Sequence, residues 1–496
     1  MIPPPMSERN PTPADVREFD SALDTSPQDL ERLLERVGRR LAAFVAEIGA
    51  QPAQAADQHD SSAAWVREAL PERPAPLDDV LDLLFGQVVP AAFNTASPGY
   101  LAYIPGGGLV SAAAAELIAA VVNRYTGLWI SAPGPVDLEA NAVRWLVELM
   151  GMPASALGVL TSGASLSTLI AMVAAREKIV GDGVSRATVY VSRETHHIVQ
   201  KAARVAGVPA ANVRTVGVDA SYRLRVDELE DAVADDRLRG LLPFFVCGSA
   251  GTVNTGAIDP LDDIADFASR DGLWFHVDGA YGAAFRLVPE LAGVLRGMER
   301  CDSLAMDPHK GLFLAYGTGA LLVRDPADLR RAYAATGSYL PAMRDSGAGI
   351  DYCEHTPELS RDWRGLRLWL PLKLHGAGAF RDALRDKRRL ALEVYAAIAA
   401  EPDVEIAAPP ELSLFAFRQR VAGDGHDGHG GDTAAQNRHN RELLARVNAP
   451  RRIMLTGTEI DGVFWLRCCV LHLRTRDERI AEAIALLRAE LAAGRR

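Results

Sequence analysis

LWFHVDGAY, residues 273–281, is an apolar run that ends on an acid, Asp278, and then on a glycine and a small residue. Its aromatic and β-branched content marks a strand buried on both faces, the kind found in parallel sheets covered by helices. A carboxylate at the end of such a strand needs a partner, because an unpaired charge is costly at the edge of a core. Working outward, LLPFFVC (241–247) and ATVYVS (187–192) are further buried-strand candidates. GVLTSG (158–163) runs into the helical LSTLIAMVAAREKIV (166–180), and HIVQKAARVAG (197–207) is helical after ATVYVS. This alternation predicts an α/β fold built on a mostly parallel sheet.

Three regions follow: 1–95, an arm and helical segment; 96–375, the large domain; and 376–496, a smaller α/β domain after a break at Gly376–Gly378. In the first, Ser26 can cap a helix with Pro27 at its first position. Leu30, Leu33, Leu34, Val37, Leu41, Phe44, Val45 and Ile48 form the helix's apolar stripe, able to cover its own core or grip a partner subunit. In the last region, LSLFAFR (412–418) and VFWLRCCVLHL (463–473) are strand candidates, and GDGHDGHGGDTAAQ (423–436) is a surface loop.

Bulk properties narrow the function. The formal net charge of -11 leaves no basic surplus for phosphate neutralisation, so nucleic acid is not the expected partner. SAAAAELIAAVV (111–122) contains Glu116 and reads as a helix packed inside a protein, so no membrane span is expected. The N-terminal residues are too polar and proline-rich for a secretory signal, and the five cysteines lack zinc-ligand spacing. A cytoplasmic enzyme with free thiols and no metal is expected. His426, His429 and His439 read as solvated linker residues.

In open α/β sheets ligands bind beyond the carboxyl ends of the strands, and five motifs fall there. Thr161–Ser165 opens a helix whose exposed N–H groups, with the Ser165 hydroxyl, can hold a phosphate. Such a turn is more often purely structural. In Thr195-His196-His197 an imidazole can stack on a planar ring, or simply cap or fill the core. Asp278 can hold the protonated pyridine nitrogen of pyridoxal phosphate, keeping the ring an electron sink, with Ala280 small enough to let it lie close. Ser249–Thr252, with Asp259 after it, is a strand-end loop for a cap or a site. In Asp307-Pro308-His309-Lys310-Gly311, Lys310 can form a Schiff base with an aldehyde, which requires an unprotonated amine at attack. A helix-like stretch is expected between Asp278 and Lys310, and a hairpin-like segment in LFLAYGTGALLV (312–323).

The ordered set resembles the group II pyridoxal-dependent decarboxylases, the family that includes aromatic-L-amino-acid decarboxylase, from about Asn94 to the C-terminal helix. The resemblance implies a fold type I, pyridoxal-phosphate-dependent transferase-like large domain, pyridoxal 5′-phosphate as cofactor, and a homodimer with shared active sites. It implies that Ala164 and Ser165 hold the phosphate, His196 stacks on the ring, and Ser249 stands where the family has a ring-side threonine. Asp278 would pair with the ring nitrogen and Ala280 pack on the ring. Asp307 stands where the animal aromatic enzyme has asparagine, and His309 neighbours the Schiff-base Lys310.

TGSYLPAMRDSG (336–347) resembles the family's catalytic loop and places Tyr339 at its tyrosine, which favours amine over aldehyde formation. Tyr100, Tyr103, Trp129 and Pro133 fall in segments that line the family's substrate cavity. The implied reaction is decarboxylation of an L-amino acid, aromatic in the leading case, to the amine and CO2. The alternatives are an aldehyde-forming decarboxylase, a carbon–carbon lyase or an aminotransferase of the same fold, or a non-catalytic cofactor-binding homologue. Arg124, Arg361, Arg364 and Arg367 are the candidates for gripping a side-chain carboxylate if the substrate is acidic. The chain departs from the family at Gly311, where tryptophan is common, at Leu166, where an acid is usual, and in the glycines at 106–108.

Overall fold

The computed structural model describes residues 23–54, 67–335, 349–421 and 433–495. The chain divides into two compact units, Met1–Tyr100 with Pro450–Met454, and Leu101–Ala449 with Leu455–Arg496.

In the first unit, α1 (Pro27–Glu47) starts as its sequence dictates: Ser26 accepts the Asp29 N–H and Pro27 occupies the first turn. Arg36 and Arg40 pair with Asp78 and Asp82 on α2 (Leu77–Leu83), at 2.8 and 2.9 Å. Leu34, Leu41 and Val45 of the α1 stripe stay exposed in the described chain. Tyr100 is buried and bridges to Met454.

The second unit is built on a seven-stranded sheet: β1 (Leu157–Thr161), β2 (Ala187–Ser192), β3 (Val213–Val216), β4 (Leu242–Ser249), β5 (Trp274–Asp278), β6 (Ser303–Met306) and β7 (Gly319–Val323). Their spatial order is β1-β7-β6-β5-β4-β2-β3. The run β6-β5-β4-β2-β3 is parallel, while β7 lies antiparallel to both β1 and β6. Helices α3 (Val110–Val122), α4 (Pro133–Met150), α5 (Ala164–Ile179), α6 (Ile198–Val205), α7 (Val226–Leu238), α8 (Leu261–Asp271), α9 (Pro308–Gly311) and α10 (Pro326–Tyr333) precede, connect and follow these strands. Phe244, Phe245, Trp274, Phe275 and Phe285 are fully buried around the sheet.

The segment after Asp278 is not the expected helix. It forms three short 3-10 turns, Ala283–Leu287, Pro289–Leu291 and Met298–Arg300, interrupted by Pro289 and by Gly297 at φ 94°. Nor is 312–323 a hairpin; only β7 is extended. Gly319 allows its entry, because a Cβ there would lie 2.4 Å from the Gly163 Cα. The helix α3 buries Ala112, Ala115 and Ala119 but leaves Val110, Leu117, Ile118 and Val121 exposed in the described chain, so it is only half packed inside.

α11 (Gly365–Ala399) bends at Gly376, which leaves helical geometry at φ 71°, ψ 153°. Beyond it a second sheet has the order β10-β11-β9-β8. Its strands are β8 (Val404–Ile406), β9 (Leu414–Gln419), β10 (Thr456–Ile460) and β11 (Val463–Cys469), accompanied by α12 (Thr433–Asn448) and α13 (Asp477–Gly494).

One buried ion pair anchors the end of β1. The side chains of Arg361 and Glu139 are both fully buried and bonded to each other, with Arg361 Nη1 donating to Glu139 Oε2 at 3.0 Å. The guanidinium lies 4.3 Å from the Tyr352 ring centroid. Arg361 and Arg364 both donate to the Leu160 carbonyl, just before the turn into α5. Arg364 also pairs with Glu358, and Arg367 with Asp362 and Glu116. Breaking a buried pair strands one charge without compensation. Glu139→Gln should therefore lower stability by about 3–5 kcal/mol, measured as a fall in the chemical-denaturation midpoint. An unchanged midpoint would show that the pair does not anchor the fold.

Candidate active site

A cavity of about 530 Å³ opens at the carboxyl ends of the central strands. A larger concavity of about 670 Å³ lies at the other end of β5, lined in part by Lys178, Trp274 and Arg324, and holds none of the motif residues.

The turn from β1 into α5 brings Ser162, Gly163, Ala164 and Ser165 to the cavity wall. The positive end of α5 thus faces the cavity beside the Ser165 hydroxyl, an arrangement that attracts an anion. β5 ends on Asp278, whose Oδ1 accepts the Ala280 N–H at 3.1 Å. Burial pushes the Asp278 carboxyl above its ordinary range, opposed by the Lys310 charge and that N–H. Ala164, Ala280 and Ala305 pack together as a floor of methyl groups.

β6 feeds the turn that carries Lys310. Asp307 begins it and holds two of its neighbours: Oδ1 accepts the Ala164 N–H at 2.7 Å and Oδ2 lies 2.9 Å from Lys310 Nζ. His309 donates from Nδ1 to the Thr318 carbonyl at 2.8 Å, and burial holds its pKa below the usual histidine range. His196, after β2, is likewise pushed down by burial, with Asp278 opposing. Its Nδ1 accepts the Ile198 N–H at 3.2 Å, which places the ring proton on Nε2. His197 stacks on it, 4.3 Å between ring centroids.

Of the residues singled out in the sequence, Ala164, Ser165, His196 and Ser249 meet in this cavity with Asp278, Ala280, Asp307, His309 and Lys310. Tyr103 lines it too, at φ 52° and half exposed. Trp129 and Pro133 lie outside the lining: the Trp129 indole donates to Asp137 at 2.9 Å, and Pro133 begins α4. Tyr339 falls outside the described residues, as do His426 and His429. Asp259 is a structural residue, accepting the Leu224 and Ser249 N–H groups at 2.7 and 2.8 Å, with burial pushing its carboxyl up to about 6.

The model of the pyridoxal-dependent decarboxylase conserved domain matches residues 60–420. This chain belongs to the pyridoxal-dependent decarboxylase family. It is 30% identical to the aromatic-L-amino-acid decarboxylase of Bacillus atrophaeus over 423 residues, 85% of this chain and 87% of that protein. It is also 30% identical to the phenylacetaldehyde synthase of Arabidopsis thaliana over 490 residues, 95% of this chain and 98% of that one. Among solved structures it is similar to Oryza sativa TDC with PLP and tryptamine, at 28% identity and a TM-score of 0.89, covering 96% of this chain and all of that one.

The residues present fit the family's cofactor. The cavity brings together an anion-attracting helix start, an acid, an amine and a floor of methyl groups. Ser249 Oγ is buried with no hydrogen-bond partner among the described residues, as expected of a hydroxyl set to meet a polar ring substituent.

Three contributors escaped the sequence reading. Tyr281 and Tyr316 line the cavity, the Tyr316 ring 5.3 Å from that of His309. Arg467 on β11 is buried, with no carboxylate partner among the described residues and Nη2 without any bond. It donates to the carbonyl of Val253, a lining residue. An arginine inside the apolar strand VFWLRCC was the available signal.

The departures from the decarboxylase pattern have local causes. A Cβ on Gly106 would lie 2.0 Å from the His309 carbonyl oxygen, so only glycine lets this segment run against the lysine turn. A Cβ on Gly311 would lie 2.3 Å from the Ala284 Cβ. Gly311→Ala should cost about 1–3 kcal/mol by overpacking, and Ala284→Gly should restore part of that loss in the double variant, as read by denaturant titration. Additive losses would contradict this contact.

Proposed function

We propose that the protein decarboxylates an aromatic L-amino acid to the amine and CO2, with pyridoxal 5′-phosphate as cofactor. The observation that carries the proposal is the convergence of Lys310, Asp278, His196 and the α5 helix start on one cavity. When bound, the cofactor supplies an electron-poor ring that accepts the electron pair left by departing CO2.

The protein's own residues do the rest. The α5 helix start and Ser165 hold the phosphate end. Asp278 keeps a proton at the ring nitrogen, because its carboxylate, otherwise penalised by burial, gains a partner there. His196 covers the ring with a neutral imidazole. Lys310 would hold the cofactor aldehyde through its amine. Asp307 orients that amine and neutralises it while protonated. Arg467, a buried cation with no carboxylate partner among the described residues, is suited to the substrate carboxylate. Tyr339, through the family resemblance, delivers a proton to the substrate Cα.

An aromatic substrate is favoured because Tyr103 and Tyr316 line the cavity. Arg361, Arg364 and Arg367 are already committed to carboxylates of the protein itself. The Bacillus and Oryza relatives carry aromatic-type names, which supports the same choice. Exposed apolar residues on α1 and α3 support a homodimer with shared sites. The five cysteines are free, in keeping with a cytoplasmic location, and no described helix is long and apolar enough to cross a membrane. The Arabidopsis relative, named as an aldehyde synthase, supports the second reading, aldehyde formation.

An amino-acid panel assayed together for CO2 and for the organic product separates the readings. The expected result is amine and CO2 in equal amounts from an aromatic substrate, with Tyr339→Phe diverting product to aldehyde. Aldehyde from the unaltered protein would establish the second reading. A keto acid would mark an aminotransferase, and cofactor binding without turnover an inert homologue.

A further inference from the structure

A buried polar chain behind the cavity lies outside the catalytic roles above. The Trp274 indole, a donor only, gives its Nε1 proton to Ser303 Oγ at 2.7 Å. Ser303 Oγ lies 2.8 Å from His276 Nδ1, and His276 Nε2 lies 3.3 Å from Thr168 Oγ1. Trp274, His276, Ser303 and Thr168 are each at most 1% exposed. Ser303 Oγ accepts from Trp274 and still has its own proton to give to His276 Nδ1. In that arrangement the imidazole proton sits on Nε2 and points at Thr168. Burial alone holds His276 down to about 3, so the ring is neutral throughout the physiological range.

The two ends of this link are spaced like the cofactor site above it. Thr168 lies one helical turn beyond Ala164 on α5, on the same face. His276 lies two residues before Asp278 on β5, also on the same face. The Thr168–His276 bond is therefore a rung one turn below the gap between the phosphate end and the ring-nitrogen acid. We infer that His276 is a positioning residue that sets the distance between the α5 helix start and Asp278, and so fits the site to a ligand that must reach both. The inference rests on the cofactor assignment of the preceding section.

The test uses the full chain freed of cofactor, with two probes: inorganic phosphate, which needs only the helix start, and pyridoxal 5′-phosphate, which needs both ends. His276→Gln and Thr168→Val each remove the rung, and the second serves if the first does not fold. The expected result is phosphate affinity within about twofold of the original protein, pyridoxal 5′-phosphate affinity weakened ~10-fold or more, and a reduced circular-dichroism band of the bound cofactor. In ¹⁵N-histidine NMR of the original protein, the resonance lost in His276→Gln should carry its proton on Nε2. Unchanged cofactor affinity and dichroism would overturn the inference. So would equal losses for both probes, or a proton on Nδ1. If the original protein itself binds no pyridoxal 5′-phosphate, the cofactor assignment fails instead.

Discussion

A single carboxylate, Asp307, ties the lysine turn to the helix start across 143 residues of sequence. One oxygen accepts the Ala164 N–H at the head of α5 and the other lies 2.9 Å from Lys310 Nζ. The first contact satisfies a donor that a helix start leaves open. The second gives a largely buried ammonium the counter-charge it needs. The same residue thus brings the amine and the anion-attracting helix end into one cavity. An asparagine there could not accept on both sides with equal strength, because only one of its side-chain atoms is an acceptor.

The scaffold around this link is rigid for reasons that are not local to it. The parallel run of strands ends all its carboxyl termini at one edge, so motifs far apart in sequence arrive together. The Arg361–Glu139 pair and the two arginine bonds to the Leu160 carbonyl fix the strand that enters the turn into α5. Close backbone approaches do the remaining fitting. Gly319 against Gly163 and Gly106 against His309 remove side chains where main chains must nearly touch.

Much of this was legible in the sequence because the cavity residues sit at strand ends. HVDGAY and DPHK carry the acid and the amine that meet in the cavity, and the apolar runs before them named the strands. The buried strands β2, β4 and β5 were readable from composition alone. The segment from Gly279 to Asp302 was not: its apolar residues are spaced as in a helix, but Pro289 and Gly297 divide it into 3-10 turns. LFLAYGTGALLV was read as a hairpin because two apolar runs flank Gly317-Thr318-Gly319, but its first half is consumed in leaving the lysine turn and only β7 is extended. Arg467 was passed over because a lone arginine in a strand usually reaches solvent. Only the folded arrangement shows it buried without an acid among the described residues. Trp129 and Pro133 were assigned from resemblance to a segment shared across the family's dimer, and they lie outside the cavity lining of the single chain.

Lys310 is the amine proposed to carry the cofactor, and reduction of the cofactor-loaded protein with borohydride, followed by peptide mapping, tests that assignment. The phosphopyridoxyl mass is expected on the peptide containing Lys310 and is expected to vanish after Lys310→Ala. A label on another lysine of the unaltered protein, or none, would contradict it.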